Sequence, residues 1–219
     1  RIIMKIKNIT LSALALTFAL TSCNDWLDVM PDNRAEVDTV EKAEKLLVSA
    51  YPEKAYITLA EMSSDNVDHF GSSPYNKRIH LQIYNWEEVT ESDNEDPKNV
   101  WGSLYEAITN ANQTLTAIED MGNTPELQAA KGEALLCRAY SHFILVNLFS
   151  NAYNPATAAK DLAVPYMDGP ETELNPKYER GNVADFYAKL EKDIEEGLPL
   201  IDDGMYSVPK YHFNEKAAY

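Results

Sequence analysis

Apolar side chains recur every three or four residues through the middle of the chain. One stripe runs from Leu104 to Ile118, and a denser cluster runs from Leu127 to Phe149. This spacing matches the period of an α-helix, so each segment predicts a long helix with one buried face. Between them, Gly122 suits a helix end and Thr124-Pro125 suits a new helix start. Because the turn is so short, the two helices are predicted to lie antiparallel as a helical hairpin.

The residues before this hairpin are less regular. A helix is predicted from Val40 to about Tyr51, with Asp38 or Thr39 as its N-cap. Residues 63–97 lack a sustained period and are rich in Gly, Pro, Asn and Asp, which predicts a long loop with one short strand at residues 79–86. Loops of this length in compact domains are often functional.

After the hairpin, residues 150–180 are predicted to be irregular, with a short extended piece at residues 162–166. A helix is then predicted from Val183 to about Glu196, capped by Asn182. Its inner stripe consists of Val183, Phe186, Leu190 and Ile194.

Residues 214–219 read as the start of another capped helix, and no later segment is left to cover the stripe of the preceding helix in the way that the hairpin helices cover each other. We therefore expect the chain to be a fragment of a longer protein, cut inside a second helical hairpin. Hairpins in series are typical of tetratricopeptide-like solenoids, but the usual 34-residue spacing does not occur here.

The first residues have the pattern of a secretory signal peptide. Lys5 and Lys7 precede an apolar run at residues 9–20, and small residues lead up to Cys23. The run is too short to cross a bilayer as a helix. The tetrapeptide LTSC matches a bacterial lipobox, so residues 1–22 are predicted to be a cleaved signal and Cys23 the lipidated first residue of a region spanning 23–219. The alternative is an ordinary secreted protein.

Composition narrows the possible partners. The chain has 35 acidic and 19 basic residues, a net charge of −16. Nucleic acids and anionic lipid surfaces are bound through basic patches, so neither is an expected partner of the protein surface. Besides Cys23 there is only Cys137, which lies on an apolar helix face and is expected to be a small buried residue without a disulfide.

No catalytic or metal-binding motif stands out, and we expect no catalytic residue, no metal ligand and no cofactor. The four histidines form no metal-ligand pattern, and His142 is expected to be a satisfied core or boundary residue. Calcium could bind the acidic run at residues 93–96, but a solvated acidic loop is the preferred interpretation. The carboxylates are numerous enough that a glycosidase pair stays open.

Several segments resemble the SusD/RagB family of outer-membrane nutrient-binding lipoproteins. Cys23–Asp28 (CNDWLD) followed by Pro31 resembles the family's start. The most recognisable segment is Gly132–Tyr140 (GEALLCRAY) with the Phe143 and Leu148-Phe149 that follow it. Further similar segments are Trp101–Asn112, Leu162–Pro165, Val183–Ile194 and Phe213–Tyr219.

The resemblance implies an all-α fold of tetratricopeptide-like helical hairpins with long irregular loops. It also implies a lipoprotein, anchored in the outer membrane and facing the cell exterior, that binds oligosaccharide nutrients and delivers them to a SusC-type TonB-dependent transporter. No enzyme activity is implied. Three alternatives stay open: a peptide-binding member of the family, a periplasmic helical-repeat adaptor that binds protein, and a lipoprotein glycosidase.

A sugar site needs aromatic faces together with polar side chains that bond hydroxyl groups. Residues 64–86 supply both kinds, and the resemblance itself assigns no individual contact. The predicted ligand-binding residues are Asp65, Tyr75, Asn76, Arg78 and Trp86. The alternative for Trp86 and Trp101 is core packing, which we favour for Trp101 and, by a narrower margin, for Trp86.

Overall fold

The computed structural model describes residues 36–71, 77–171, 173 and 176–219. The predicted signal peptide and Cys23 lie outside these residues. The described chain forms seven α-helices and no strand, so the all-α prediction is confirmed. They are α1 (Val40–Leu47), α2 (Tyr56–Met62), α3 (Arg78–Tyr84), α4 (Pro97–Asp120), α5 (Gln128–Phe149), α6 (Val183–Gly197) and α7 (Glu215–Ala218). Among the described helices, none is both long and apolar enough to span a membrane.

The predicted hairpin consists of α4 and α5, and local sequence signals set its ends. Asp96 caps α4 by accepting a hydrogen bond from the Asn99 backbone N–H at 2.6 Å, and Pro97 follows it as the first helical residue. At the other end, Gly122 adopts the left-handed conformation with φ of 84°. Its N–H bonds to the carbonyl of Glu119 at 2.9 Å, which closes the helix as the sequence predicts.

Helix α5 is the centre of the fold, because it packs against α4 on one side and α6 on the other. The first three members of the α6 stripe, Val183, Phe186 and Leu190, are therefore buried, whereas Ile194 is 36% exposed. The expectation that no segment covers this stripe is wrong. The stripe is covered because α5 carries apolar residues on two sides, so that it packs against both α4 and α6.

Two glycines set the close approach of α5 and α6. A Cβ atom built on Gly132 would lie 2.8 Å from the backbone oxygen of Gly197, and one on Gly197 would lie 3.0 Å from the oxygen of Gly132. The contacted atoms belong to the backbone and cannot rotate away. By contrast, a Cβ on Gly102 of α4 meets nothing within 4 Å.

We therefore expect alanine to have opposite effects at two helical glycines. Gly132→Ala forces α5 and α6 apart and should lower the free energy of unfolding by about 1–3 kcal/mol. Gly102→Ala only removes the backbone entropy cost of glycine, so it should raise the free energy of unfolding by about 0.5–1 kcal/mol. Urea denaturation of both variants measures the difference. Equal effects would contradict the close helix contact.

The predicted strand at residues 79–86 is wrong, because residues 78–84 form α3. Ile79, Gln82 and Ile83 are buried at helical spacing and face the same side. A short apolar run cannot be assigned to helix or strand from its period alone. Two other predicted features are shorter than expected. The first helix is α-helical only to Leu47, and the extended piece at residues 162–166 reduces to one bridge between Leu162 and Asn182.

The acidic run at residues 93–96 is not a solvated loop. Asp93 pairs with Lys77 at 2.8 Å, and Glu95 contacts His80 at 2.7 Å. Asp96 is buried as the cap of α4. These contacts connect the beginning of α3 to the beginning of α4, so the acidic run has a structural role. In the part of the chain that the structure describes, no group of three or more His, Cys, Asp or Glu is placed to hold a metal ion.

Two sequence predictions about α5 are confirmed. Cys137 is buried, and burial together with the nearby Glu133 charge raises the pKa of its thiol well above the ordinary value. His142 is fully buried with both ring nitrogens hydrogen-bonded. Neither side chain is exposed for chemistry.

Candidate ligand-binding cleft at Trp86

Helix α3 ends at a corner where a tryptophan takes the position that glycine normally occupies. The Trp86 N–H bonds to the carbonyl of Ile83 at 3.0 Å, and the Glu87 N–H bonds to the carbonyl of Gln82 at 2.8 Å. This pair of bonds closes a helix through a residue in the left-handed conformation. Trp86 has φ of 56°, a region that is unfavourable for a bulky side chain.

The surrounding chain holds Trp86 in this conformation. The buried Gln82 side chain donates to the Thr90 hydroxyl at 2.9 Å and accepts from the Thr90 backbone N–H at 3.2 Å. These two bonds tie the segment after the corner back onto α3. Strained backbone persists where several contacts over-determine it, and such strain is concentrated at functional sites. These contacts therefore hold the Trp86 indole at the surface of the corner.

A cleft of about 450 Å³ lies beside this corner. Four helices contribute to it: the end of α2, the end of α3, the first residue of α4 and the last turn of α5. Its lining residues are Leu59, Ala60, Ser63, Ile83, Trp86, Glu87, Val89, Pro97, Asn147, Leu148 and Phe149. The Trp86 side chain is 79% exposed, so its indole faces are open to a ligand.

The cleft combines the two kinds of group that a sugar needs. Indole faces stack on the apolar faces of sugar rings. Glu87 is exposed, and carboxylate oxygens accept hydrogen bonds from hydroxyl groups. Asn147 donates to the Phe143 carbonyl at 2.7 Å, so its own amide oxygen is oriented as a further acceptor. Aromatic surface flanked by polar acceptors is typical of carbohydrate sites.

The structure brings only one of the predicted ligand-binding residues to this cleft. Trp86 lines it, and the preference for core packing of Trp86 is wrong, because the left-handed corner turns the side chain outward. Arg78 lies at the other end of α3, where it pairs with Glu91 at 3.3 Å, and Asp65 is exposed beyond α2. Tyr75 and Asn76 lie outside the described residues, and the ligand roles of these four residues stay predictions.

Sequence reasoning missed Glu87 and Asn147. Asn147 had a usable signal, because it interrupts the apolar run FILVNLF at the end of α5. Glu87 had no such signal, since the adjacent Glu88 is also acidic and nothing in the pattern distinguishes the two. Trp101 is half-buried and packs edge-on against Phe149 with ring centroids 5.0 Å apart, which confirms the packing role predicted for it.

Comparison with known proteins gives a consistent result. A SusD-like family model described as starch-binding associating with outer membrane matches residues 25–219. A SusD superfamily protein from Bacteroides thetaiotaomicron is 25% identical with a TM-score of 0.66, over 82% of this chain and 40% of that one. A curated protein with significant similarity was not found.

Two further solved structures share the fold. A SusD-like carbohydrate binding protein from Bacteroides vulgatus is 21% identical with a TM-score of 0.60, over 82% of this chain and 39% of that one. A SusD superfamily protein from Bacteroides fragilis is 20% identical with a TM-score of 0.62, over 85% of this chain and 44% of that one. The chain thus spans about two fifths of the length of the structures it matches.

Proposed function

Because the chain belongs to the SusD-like family of starch-binding proteins that associate with the outer membrane, we propose that it captures oligosaccharide at the cell surface. In this proposal Cys23 carries the lipid anchor, the helical body faces the exterior, and the bound nutrient passes to a SusC-type TonB-dependent transporter. The protein binds its ligand without cleaving it.

One observation supports the proposed binding role more than any other. Trp86 is held in an unfavourable backbone conformation and leaves most of its side chain in solvent beside a cleft of about 450 Å³. Such an arrangement costs of order 1–3 kcal/mol and needs a compensating function. Stacking on a sugar ring supplies one. Starch-derived oligosaccharides are the first ligands to test, since starch is the ligand that the family description gives.

Substitution of Trp86 should separate binding from stability. Trp86→Ala should weaken binding of maltoheptaose at least about tenfold, since an aromatic contact contributes on the order of 1 kcal/mol or more. Trp86→Gly should weaken it equally but unfold at a higher temperature than Trp86→Ala, because glycine adopts positive φ without strain. Isothermal titration calorimetry and thermal unfolding measure the two effects.

Phe70 provides the matched control. It is an aromatic residue with 94% exposure that does not line the cleft, so Phe70→Ala should leave maltoheptaose binding unchanged. If wild-type protein binds the sugar and Trp86→Ala binds it equally well, the ligand site lies elsewhere. If the wild type binds none of a panel of glucans, mannans and host glycans, the proposed function is wrong.

A further inference from the structure

A second cleft lies on the surface of α4, separate from the one at Trp86. It has a volume of about 280 Å³ and is bounded by α4 and by Pro165, Met167, Glu171 and Tyr178. Three aromatic residues line it: Trp101 and Tyr105 from α4, and Tyr178. The Trp101 and Tyr105 rings lie 5.0 Å apart at an angle of 50°, which makes a tilted aromatic wall. Glu171 lies at the rim and is exposed.

Among the described residues that line this cleft, each hydroxyl hydrogen is already used in a hydrogen bond. The Tyr105 hydroxyl donates to the Pro165 carbonyl at 2.8 Å, and the Thr109 hydroxyl donates to the Tyr105 carbonyl at 2.9 Å. The Tyr178 hydroxyl donates to the Glu171 carboxylate. This bond raises the pKa of the Tyr178 phenol to about 12, so the phenol keeps its proton at neutral pH.

The groups that remain available to a ligand in this cleft carry negative or electron-rich surfaces. The aromatic rings present π faces, Met167 contributes a polarizable thioether, and Glu171 contributes a carboxylate. None of the described residues that line the cleft is a lysine or an arginine. The chain as a whole carries a net charge of −16, which further favours cations.

We propose that this second cleft binds a small organic cation, whose ammonium group rests between the faces of Trp101 and Tyr105 and the carboxylate of Glu171. A neutral sugar gains less, because it carries no positive charge to interact with the ring quadrupoles and the carboxylate. An anion is repelled by Glu171 and by the ring faces. Ammonium groups bind to such aromatic walls through the ring quadrupole. The site is independent of the function proposed for the Trp86 cleft.

The proposal is tested with choline and its neutral carbon analogue 3,3-dimethylbutan-1-ol. Both have the same shape, and only choline carries a charge. In isothermal titration calorimetry, choline should bind at least about tenfold more tightly than the alcohol, because only the cation gains from the π faces and the carboxylate. Equal affinities of choline and the alcohol would overturn the proposal. Absence of binding with choline in the millimolar range, at 50 times the protein concentration, would overturn it as well.

Two variants place the binding in this cleft. Glu171→Gln keeps an oxygen that accepts the Tyr178 hydroxyl but removes the charge, so it should weaken choline binding about fivefold and leave the alcohol unaffected. Gly102→Met fills the cleft, since a side chain at this position points into open space, and should abolish choline binding in a protein that still folds. Unchanged choline affinity in both variants would contradict the site.

Further measurements separate this site from the Trp86 cleft and identify the source of the cation. Gly102→Met should keep maltoheptaose binding, and Trp86→Ala should keep choline binding, so either proposal can fail alone. Glucosamine is compared with glucose to test whether the cation arrives on a sugar. Choline binding that depends on Glu171 supports the proposal, and tighter binding of glucosamine than of glucose then shows that the cation can arrive on a sugar. Absence of choline binding, or choline binding that ignores Glu171, contradicts the proposal.

Discussion

Asp193→Ala is expected to lower the free energy of unfolding by about 3–5 kcal/mol, the largest loss of any single substitution we predict. The Asp193 carboxylate lies on α6 and binds Arg138 of α5 through two parallel bonds, Nε to Oδ2 at 2.7 Å and Nη2 to Oδ1 at 2.6 Å. Both side chains are almost entirely buried. The variant leaves the guanidinium in the interior without its counter-charge. In a chain of this size the melting temperature should fall by more than about 6 °C.

The pair is the centre of a network that also involves α4 and residues 166–167 of the irregular region. Arg138 donates to the Asn112 side-chain oxygen at 2.8 Å, and Asn112 donates to the carbonyl of Met167 at 3.1 Å. The Tyr166 hydroxyl donates to Asp193 at 2.6 Å. Loss of the Asp193 carboxylate therefore removes the bonds from both Arg138 and Tyr166.

Lys192 supplies the control on the same helix. It pairs with Glu196 at 3.7 Å, with both side chains mostly in solvent. Lys192→Ala should change the free energy of unfolding by less than about 0.5 kcal/mol, because exposed ion pairs contribute little. Chemical denaturation of the two variants checks the contrast. The network has no structural role if Asp193→Ala is as mild as Lys192→Ala.

The hairpin could be predicted because its signals are local. The stripe of α4, the left-handed Gly122 and the Thr124-Pro125 restart are all read within a few residues of where they act. The bond between Arg138 and Asp193 could not be predicted, since the partners are 55 residues apart and lie on two different helices. Sequence spacing shows which face of a helix is buried, but not which buried charges meet.

The candidate site was harder to predict for a related reason. Tryptophan at a helix end is ordinarily a core residue, and the left-handed corner that turns Trp86 outward is normally made by glycine or asparagine. No glycine marks the corner in the sequence LQIYNWEE at residues 81–88. The corner depends on Gln82 and Thr90, whose pairing becomes visible only after α3 is folded. The strain that points to function is thus a tertiary property.

His142 shows how a buried site can set the acid sensitivity of the fold. Its ring stacks on Tyr166 with centroids 3.8 Å apart and is fully buried. Nδ1 donates to the Arg138 carbonyl at 3.0 Å, and Nε2 accepts from the Met167 N–H at 3.1 Å. A carbonyl only accepts and a backbone N–H only donates, so these bonds require the neutral ring. Burial, supported by the nearby Arg138 charge, lowers the pKa of His142 to about 3.

Acid should therefore destabilise the protein well above the range in which carboxylates titrate. In the unfolded chain His142 is protonated near its ordinary pKa of about 6.5. In the folded chain it stays neutral until the pH falls to its pKa of about 3. Because the unfolded state binds more protons in this window, stability is full above pH 6.5 and falls as the pH decreases, by about 1.4 kcal/mol per unit at most. Between pH 7 and pH 5 the loss is about 2 kcal/mol.

His142→Gln isolates this contribution. The glutamine side-chain oxygen accepts from the Met167 N–H but binds no proton, so the variant should be less stable than wild type at pH 7 and should lose about 2 kcal/mol less between pH 7 and pH 5. Urea denaturation at half-unit steps of pH gives both curves. The bonds to Arg138 and Met167 forbid a protonated ring in the folded state, because a proton on Nε2 would face the Met167 N–H with no acceptor between them. Parallel curves for the two proteins would show that the folded state does protonate the ring, and would contradict this account.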